Sequence, residues 1–291
     1  MVREVRDCAL ETPVNEYRLI TSGWDNMVLE VEEKYIFRFP RSRGGWARIL
    51  KEAALLPLLS RTLNSPVPDY RYVWGGSRRY PLRFAGYRKI AGESCAEASD
   101  LKTETLGPDL AQFLTELHSI LPTRRVLELI PRYTAKTWAE SRASFYRRIR
   151  PLVYPLLHGK FREMSDEFWA ESMVQFSHAE FEPTLIHSDL RAGNIIVNPR
   201  TGRLNGVIDW DNAAVGDPAL DFMGAFELSP VLGDVTLDNY EREKEGFRDR
   251  IDTYLRTVPF GEVAQGVRAG NRQLVKGGLM HLKWMFDSLK G

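Results

Sequence analysis

The segment His187-Ser188-Asp189-Leu190-Arg191-Ala192-Gly193-Asn194, followed after a short hairpin by Ile208-Asp209-Trp210, decides how the rest of this 291-residue chain is read. It sets two carboxylates and one amide at fixed spacing beside strand-like apolar runs, Ile195 to Val197 and Val207 to Trp210, which flank an Asn-Pro-Arg-Thr-Gly-Arg turn. Transfer of a phosphoryl group asks little covalent work of a protein but demands positioning. It needs a carboxylate to orient the attacking hydroxyl, and oxygen ligands for a magnesium ion that bridges the phosphates. Magnesium is a hard cation that keeps several waters, so one Asp and one Asn carbonyl suffice beside the phosphates. Asp189 meets the first demand and Asn194 with Asp209 the second. Any one of these alone reads as a turn or strand-end residue, and only the joint spacing carries the chemistry. His187 has two readings: a second base with a pKa near neutrality, or a hydrogen-bonding residue that holds the loop. Asp217 before Pro218 suits a helix N-cap with proline at the first helical position, bracing the loop.

Outward from this segment the pattern changes character once. Met27, Leu29 and Val31 alternate with other residues, and Glu32-Glu33 makes a polar turn, which predicts a hairpin ending near Pro40. Trp46, Ile49, Leu50, Ala53 and Ala54 then recur at helical spacing, with Pro57 predicting a kink or a fresh helix start. Two more strands are predicted around Tyr70–Trp74 and Pro81–Ile90, divided by the Gly75-Gly76-Ser77 turn. Near Ala91-Gly92-Glu93-Ser94 the mixed region gives way to helices, the first marked by Leu110, Phe113, Leu114 and Leu117. Residues 134 to 176 are polar and helical in period, punctuated by Pro151 and Pro155, and the stretch after the hairpin is helical again.

Composition narrows the function classes. Forty Lys and Arg against thirty-nine Asp and Glu leave a formal charge of +1, so no global field marks a nucleic-acid binder. Two cysteines, Cys8 and Cys95, cannot form a disulfide framework or a four-thiolate zinc site and suit a reducing cytosol. The N-terminus lacks an apolar signal core and no run is long and apolar enough to span a membrane, so a soluble cytoplasmic protein is expected.

The three stretches HSDLRAGN (187–194), VIDW (207–210) and GDPALD (216–221) resemble the aminoglycoside phosphotransferase family, whose pattern runs H-x-D-x-x-x-x-N, I-D, D-P-x-x-D. The resemblance covers roughly residues 15 to 290, and SGWDNMVLEV with YIFRFPR is particularly similar to the branch acting on the 2″-hydroxyl. It implies an α+β, bilobal protein-kinase-like fold: a small N-terminal lobe with antiparallel sheet and helix, and a larger, mainly helical C-terminal lobe. It places residues 1–91 in the nucleotide-binding lobe with a hinge near 87–92. Residues 92–291 then carry the catalytic loop, metal site and acceptor pocket. It assigns Asp189 the role of catalytic base or hydroxyl-orienting group, Asn194 and Asp209 the metal, and His187 and Asp217 support. Mg2+ and ATP or GTP follow as cofactor and phosphoryl donor. Nucleotide contacts are implied for Ser22, Arg38, Glu52, Tyr87, Arg88 and Ile90. In that branch the strand usually carries a lysine for the phosphates paired with a helix glutamate. Here Arg38 stands in its place with Glu52 as partner, and an arginine is wider and prefers bidentate geometry. Between Lys34 and Lys51 there are six basic residues and no acidic one, which suits polyphosphate or a solvated cationic loop.

The implied acceptor is an aminoglycoside antibiotic, with the 2″-hydroxyl favoured and resistance as the consequence, in a monomer with no nucleic-acid or membrane partner. An aminoglycoside is a polycation, so carboxylates should line its pocket. Seven acidic residues against four basic ones lie between Phe222 and Arg250, mostly in NYEREKEGFRDR (239–250), whose alternating signs predict an exposed helix. The last stretch, HLKWMFDSLK (281–290), holds one acid, Asp287. The alternative acceptor is a macrolide or a metabolite in the manner of choline or homoserine kinases. A further alternative is a non-catalytic pseudokinase scaffold.

Overall fold

The computed structural model describes residues 1–10, 13–21 and 26–288. Alternating apolar positions in the first ninety residues build a five-stranded antiparallel sheet of β1 (Tyr17–Ile20), β2 (Asn26–Val31), β3 (Tyr35–Pro40), β4 (Tyr72–Trp74) and β5 (Phe84–Arg88), ordered β1-β2-β3-β5-β4. The hairpin pairs Val31 with Tyr35 and Leu29 with Phe37, and Arg38 lies opposite Val28 on one side and Ala85 on the other. Its turn runs through Glu32 and Glu33, both at positive φ (52° and 51°), a conformation glycine adopts more readily. The Glu32 carboxylate offsets part of that strain by accepting the N–H groups of Asn15 (2.6 Å) and Glu16 (3.1 Å). Leu29, Val31, Phe37, Phe39 and Phe84 form the core of the sheet with Val5 of the short helix α1 (Val2–Val5).

Of the two outcomes expected at Pro57, a fresh helix start does not occur. Helix α2 runs unbroken from Arg43 to Thr62 with Pro57 inside it, exposed, while Leu55, Leu56 and Leu59 around it are buried. Core burial on both sides of the proline outweighs the one lost hydrogen bond. The helix also faces the core differently from the predicted stripe. Ile49, Glu52, Leu55, Leu56 and Leu59 are buried, whereas Leu50 is exposed. A glutamate on the buried side needs a partner, and it has one, described below.

The chain divides into two compact units. The first comprises Met1–Pro131, His187–Ala214 and Gly224–Glu241. Besides the sheet and α2 it contains α3 (Thr103–Ser119), which buries Leu110, Phe113, Leu114 and Leu117 as the periodicity predicts, and the short α4 (Arg124–Leu127). It also holds the strands β6 (Glu93–Ser94), β8 (Ile195–Val197) and β9 (Leu204–Val207), joined in a second sheet in the order β6-β8-β9. The helices α7 (Met223–Leu228) and α8 (Pro230–Asp238) complete it.

The second unit comprises Arg132–Ile186, Val215–Met223 and the chain from Arg242 onward. It is built from α5 (Ala135–Val153), α6 (Lys160–His178), α9 (Phe247–Ala269) and α10 (Arg272–Ser288), with β7 (Thr184–Ile186) paired to β10 (Ala214–Gly216). Trp169, Phe168, Phe260 and Phe286 lie at its core. Pro151 sits in the last turn of α5, and Pro155 lies in the 3-10 turn that follows. Residues 239–246 are irregular, not the exposed helix expected, and α9 starts at Phe247. Five acidic and basic neighbours in a row, Glu241 to Glu245, with no apolar stripe give that run nothing to bury. Among the described residues no helix is long and apolar enough to cross a membrane.

Candidate active site

The loop between β7 and β8 is held by a closed circuit of hydrogen bonds. Asn194 Nδ2 donates to the Asp189 carbonyl (2.8 Å), and the Asp189 N–H donates to His187 Nδ1 (3.2 Å). His187 Nε2 lies 3.0 Å from the Ile208 carbonyl, and the Ile208 N–H returns to the Asn194 carbonyl (3.0 Å). Because Nδ1 accepts, Nε2 must carry the proton, which fixes His187 as a neutral tautomer with both nitrogens engaged. The ring is fully buried and packs on Trp210, centroids 4.5 Å apart. The circuit thus joins Asp189 and Asn194, two of the three positions singled out in the sequence, to the residue preceding the third, Asp209.

Strand β9 ends at Val207, three residues earlier than its apolar run, so Ile208, Asp209 and Trp210 lie beyond it. Asp209 takes a left-handed conformation (φ 68°) and Ser188 does the same (φ 68°) next to Asp189. Non-glycine residues held there store strain, and both flank the polar groups of interest. Another constraint that sequence reasoning missed lies at Gly224 in α7. A Cβ at that position would meet the Leu190 carbonyl at 1.8 Å, so only glycine lets α7 approach the loop this closely. An isolated glycine in a helical pattern was the available signal.

Arg38, on β3, is buried and makes the densest set of contacts. Its Nη1 donates to Glu52 Oε2 (2.7 Å) and the Tyr70 hydroxyl (3.0 Å), and its Nη2 donates to Asp209 Oδ1 (2.7 Å) with Asp211 Oδ2 at 3.6 Å. Glu52 in turn accepts from the Tyr70 hydroxyl (2.9 Å) and from the Trp210 N–H (3.2 Å), so α2 grips the backbone next to Asp209. Tyr70 and Asp211 were not recognised in the sequence. Asp211 also faces Arg48 at 3.6 Å, which is therefore not a purely solvated loop cation. Burial opposes the charge on Arg38, yet Glu52, Tyr70 and Asp209 outweigh it and hold the guanidinium protonated. For Glu52 burial wins over Arg38 and pushes the carboxyl up.

Asp189 is half-buried, and burial pushes its carboxyl up to about 7. Arg191 opposes the shift, while Asp209, Asp211 and Glu227 add to it. Arg191 is itself tied to Glu227 at 3.2 Å. A divalent cation nearby would favour the charged form. The fit to such a cation is read from the donor set. The Asn194 amide spends its nitrogen on Asp189, which leaves Oδ1 as its open atom, and Asp209, with 40% of its side chain exposed, uses Oδ1 on Arg38. Two hard oxygen donors with room for water and phosphate suit magnesium. No cluster of three or more His, Cys, Asp or Glu that could hold a metal occurs among the described residues.

The other predicted positions fall as follows. Tyr87 is buried on β5 with its ring 5.5 Å from Tyr70, Arg88 beside it is exposed, and Ile90 packs near Gly206. Ser22 lies outside the described residues. Asp217 is fully buried in the second unit, where its carboxylate caps the Ala219 N–H (3.0 Å) as predicted and also accepts from Arg250 (2.9 Å) and the Tyr254 hydroxyl (2.7 Å).

The fold matches known proteins. A curated relative, viomycin phosphotransferase of Streptomyces vinaceus, is 26% identical over 181 residues, 60% of this chain and 60% of the relative. The alignment therefore spans well under two thirds of that relative's length. Among solved structures, a GDP and kanamycin complex of an APH(2″) enzyme superposes with a TM-score of 0.82 at 23% identity, covering 97% of this chain and 96% of that one. A type I macrolide 2′-phosphotransferase gives 0.74 at 18% identity, covering 97% and 95%. These structures have the same kinase-like fold as this chain. The model of the phosphotransferase enzyme family matches residues 16–265, and the chain belongs to that family.

Proposed function

We propose that this chain transfers the γ-phosphoryl group of ATP or GTP to a hydroxyl of an aminoglycoside, the 2″-hydroxyl first, as a monomer. The hydrogen-bond circuit through Asn194, Asp189, His187 and Ile208 supports this reading most directly. It ties the backbone of Asp189 to Asn194, five residues on, and to Ile208, the neighbour of Asp209, nineteen residues on. Asp189 takes a hydrogen bond from the acceptor hydroxyl and aligns its oxygen for attack; its raised pKa suits accepting the proton as the bond to phosphorus forms. Asn194 Oδ1 and Asp209 hold magnesium, which when bound neutralises charge on the phosphates. His187 supports Asp189 from below, and Asp217 braces the chain that follows. Residues 1–91 supply the nucleotide contacts, Arg38 with Glu52 among them, with Tyr87, Arg88 and Ile90 near a hinge at 87–92. Residues 92–291 supply the acceptor pocket.

A second reading has one observation behind it. The last helix offers exposed Met280 and Trp284 and a single acid, Asp287, which fits a less cationic, more apolar acceptor such as a macrolide. Purified chain incubated with Mg2+ and labelled ATP or GTP against kanamycin, viomycin, a macrolide, choline and homoserine separates the two. Phosphate on the 2″-hydroxyl of kanamycin, located by NMR, is expected. Transfer to the macrolide alone selects the second reading, and transfer to none overturns both.

A further inference from the structure

Arg38 joins two carboxylates that a metal site would be expected to keep apart in use. Its Nη1 is spent on Glu52 and Tyr70, and its Nη2 sits 2.7 Å from Oδ1 of Asp209. Other charged side chains crowd the same place. Glu52, Asp209 and Asp211 face Arg38, Arg48 at 3.6 Å from Asp211, and Lys51, whose ammonium feels Asp211 and Glu52 and donates to the Ala213 carbonyl at 3.4 Å. Asp189 feels Asp209 and Asp211 as well, all within the first unit.

From this arrangement we infer that Arg38 is a positioning residue that acts as the resident counter-ion of Asp209, so a divalent cation that takes Oδ1 of Asp209 competes with Nη2 for it. The inference rests on Asp209 being a metal ligand, as assigned under Proposed function. The guanidinium matters because its two terminal nitrogens reach Glu52 and Asp209 separately. A lysine ammonium would have to bring both carboxylates to one nitrogen against their mutual repulsion, and would hold Asp209 less firmly.

The test reads metal binding, not turnover. Free Mn2+ is titrated by electron paramagnetic resonance, without nucleotide, into the wild-type chain, R38K and D209N, each first checked for a cooperative melt. R38K is expected to bind Mn2+ roughly tenfold more tightly than wild type, the change matching one charge-assisted hydrogen bond no longer in competition. D209N is expected to show no saturable binding. If R38K binds as weakly as wild type, or more weakly, while D209N still loses the ion, the counter-ion role is wrong and the metal assignment stands. If D209N binds like wild type, the assignment of Asp209 falls and this inference with it. Should R38K not fold, R38Q, which keeps an amide donor for Glu52 and no charge for Asp209, carries the same comparison. A purely structural role for Arg38 would lower stability without tightening the ion.

Discussion

Two buried polar residues on either side of the catalytic loop show what single side chains do here. His187 has no nitrogen left to act as a base, since Nδ1 accepts from Asp189 and Nε2 serves Ile208. His187→Ala would leave a half-buried carbonyl and a half-buried N–H without this partner, costing about 1–3 kcal/mol in all. A urea melt should show that loss; an unchanged midpoint would mean the ring is dispensable. Cys95 is nearly fully buried, and burial, with Glu93 second, pushes its thiol up to about 12. A raised pKa favours the neutral form, so any stability it contributes is present below the unfolded thiol's value and is lost as pH rises toward 12. At pH 8 native Cys95 should resist iodoacetamide that labels the urea-unfolded chain, and equal labelling rates would contradict this burial. At this scale the fixed spacing of Asp189, Asn194 and Asp209 was legible, and the structure ties Asp189 and Asn194 to each other and to Ile208 beside Asp209. Tyr70 and Asp211 were invisible, since their value comes from meeting Arg38, thirty-two and more residues away along the chain.

Elements set how closely these groups approach. In α7, Gly224 lets the helix backbone rest on the Leu190 carbonyl, and Gly224→Ala must push the loop or the helix aside. A backbone shift of that kind costs about 1–3 kcal/mol and moves Asp189. Turnover is expected to drop while nucleotide binding persists; wild-type turnover would show that the loop tolerates the shift. Helix α2 carries Glu52 into the buried side of the first unit, where it is bonded by Arg38, Tyr70 and the Trp210 N–H. Removing one partner of a buried ion pair strands the other, so Glu52→Ala should cost about 3–5 kcal/mol in a denaturant melt. A loss below about 1 kcal/mol would place the pair effectively in solvent. Strand periodicity and the polar Glu32-Glu33 turn made the hairpin legible. The facing of α2 was not, because its most buried polar residue looks like a surface residue until its partner on β3 is known.

Across the whole chain, the sequence resemblance carried the fold, and the family match over residues 16–265 agrees with it. Long-range grouping was not legible, since hydrogen bonds such as Trp210 to Glu52 tie segments 158 residues apart into the first unit. The second unit depends on its aromatic core, where Phe260 stacks on Phe168 at 5.6 Å and meets Trp169 at 5.2 Å. Phe260→Ala should cost that unit about 3–5 kcal/mol, read from the transition of near-ultraviolet circular dichroism in urea. The central claim, that Asp189 orients the acceptor within a metal-dependent phosphoryl-transfer site, is tested most directly by Asp189→Asn. Nucleotide affinity and turnover are measured side by side with Mg2+ and the accepted substrate. Unchanged nucleotide affinity with turnover lowered by about a hundredfold or more is expected. Turnover within a few-fold of wild type would remove Asp189 from the chemistry.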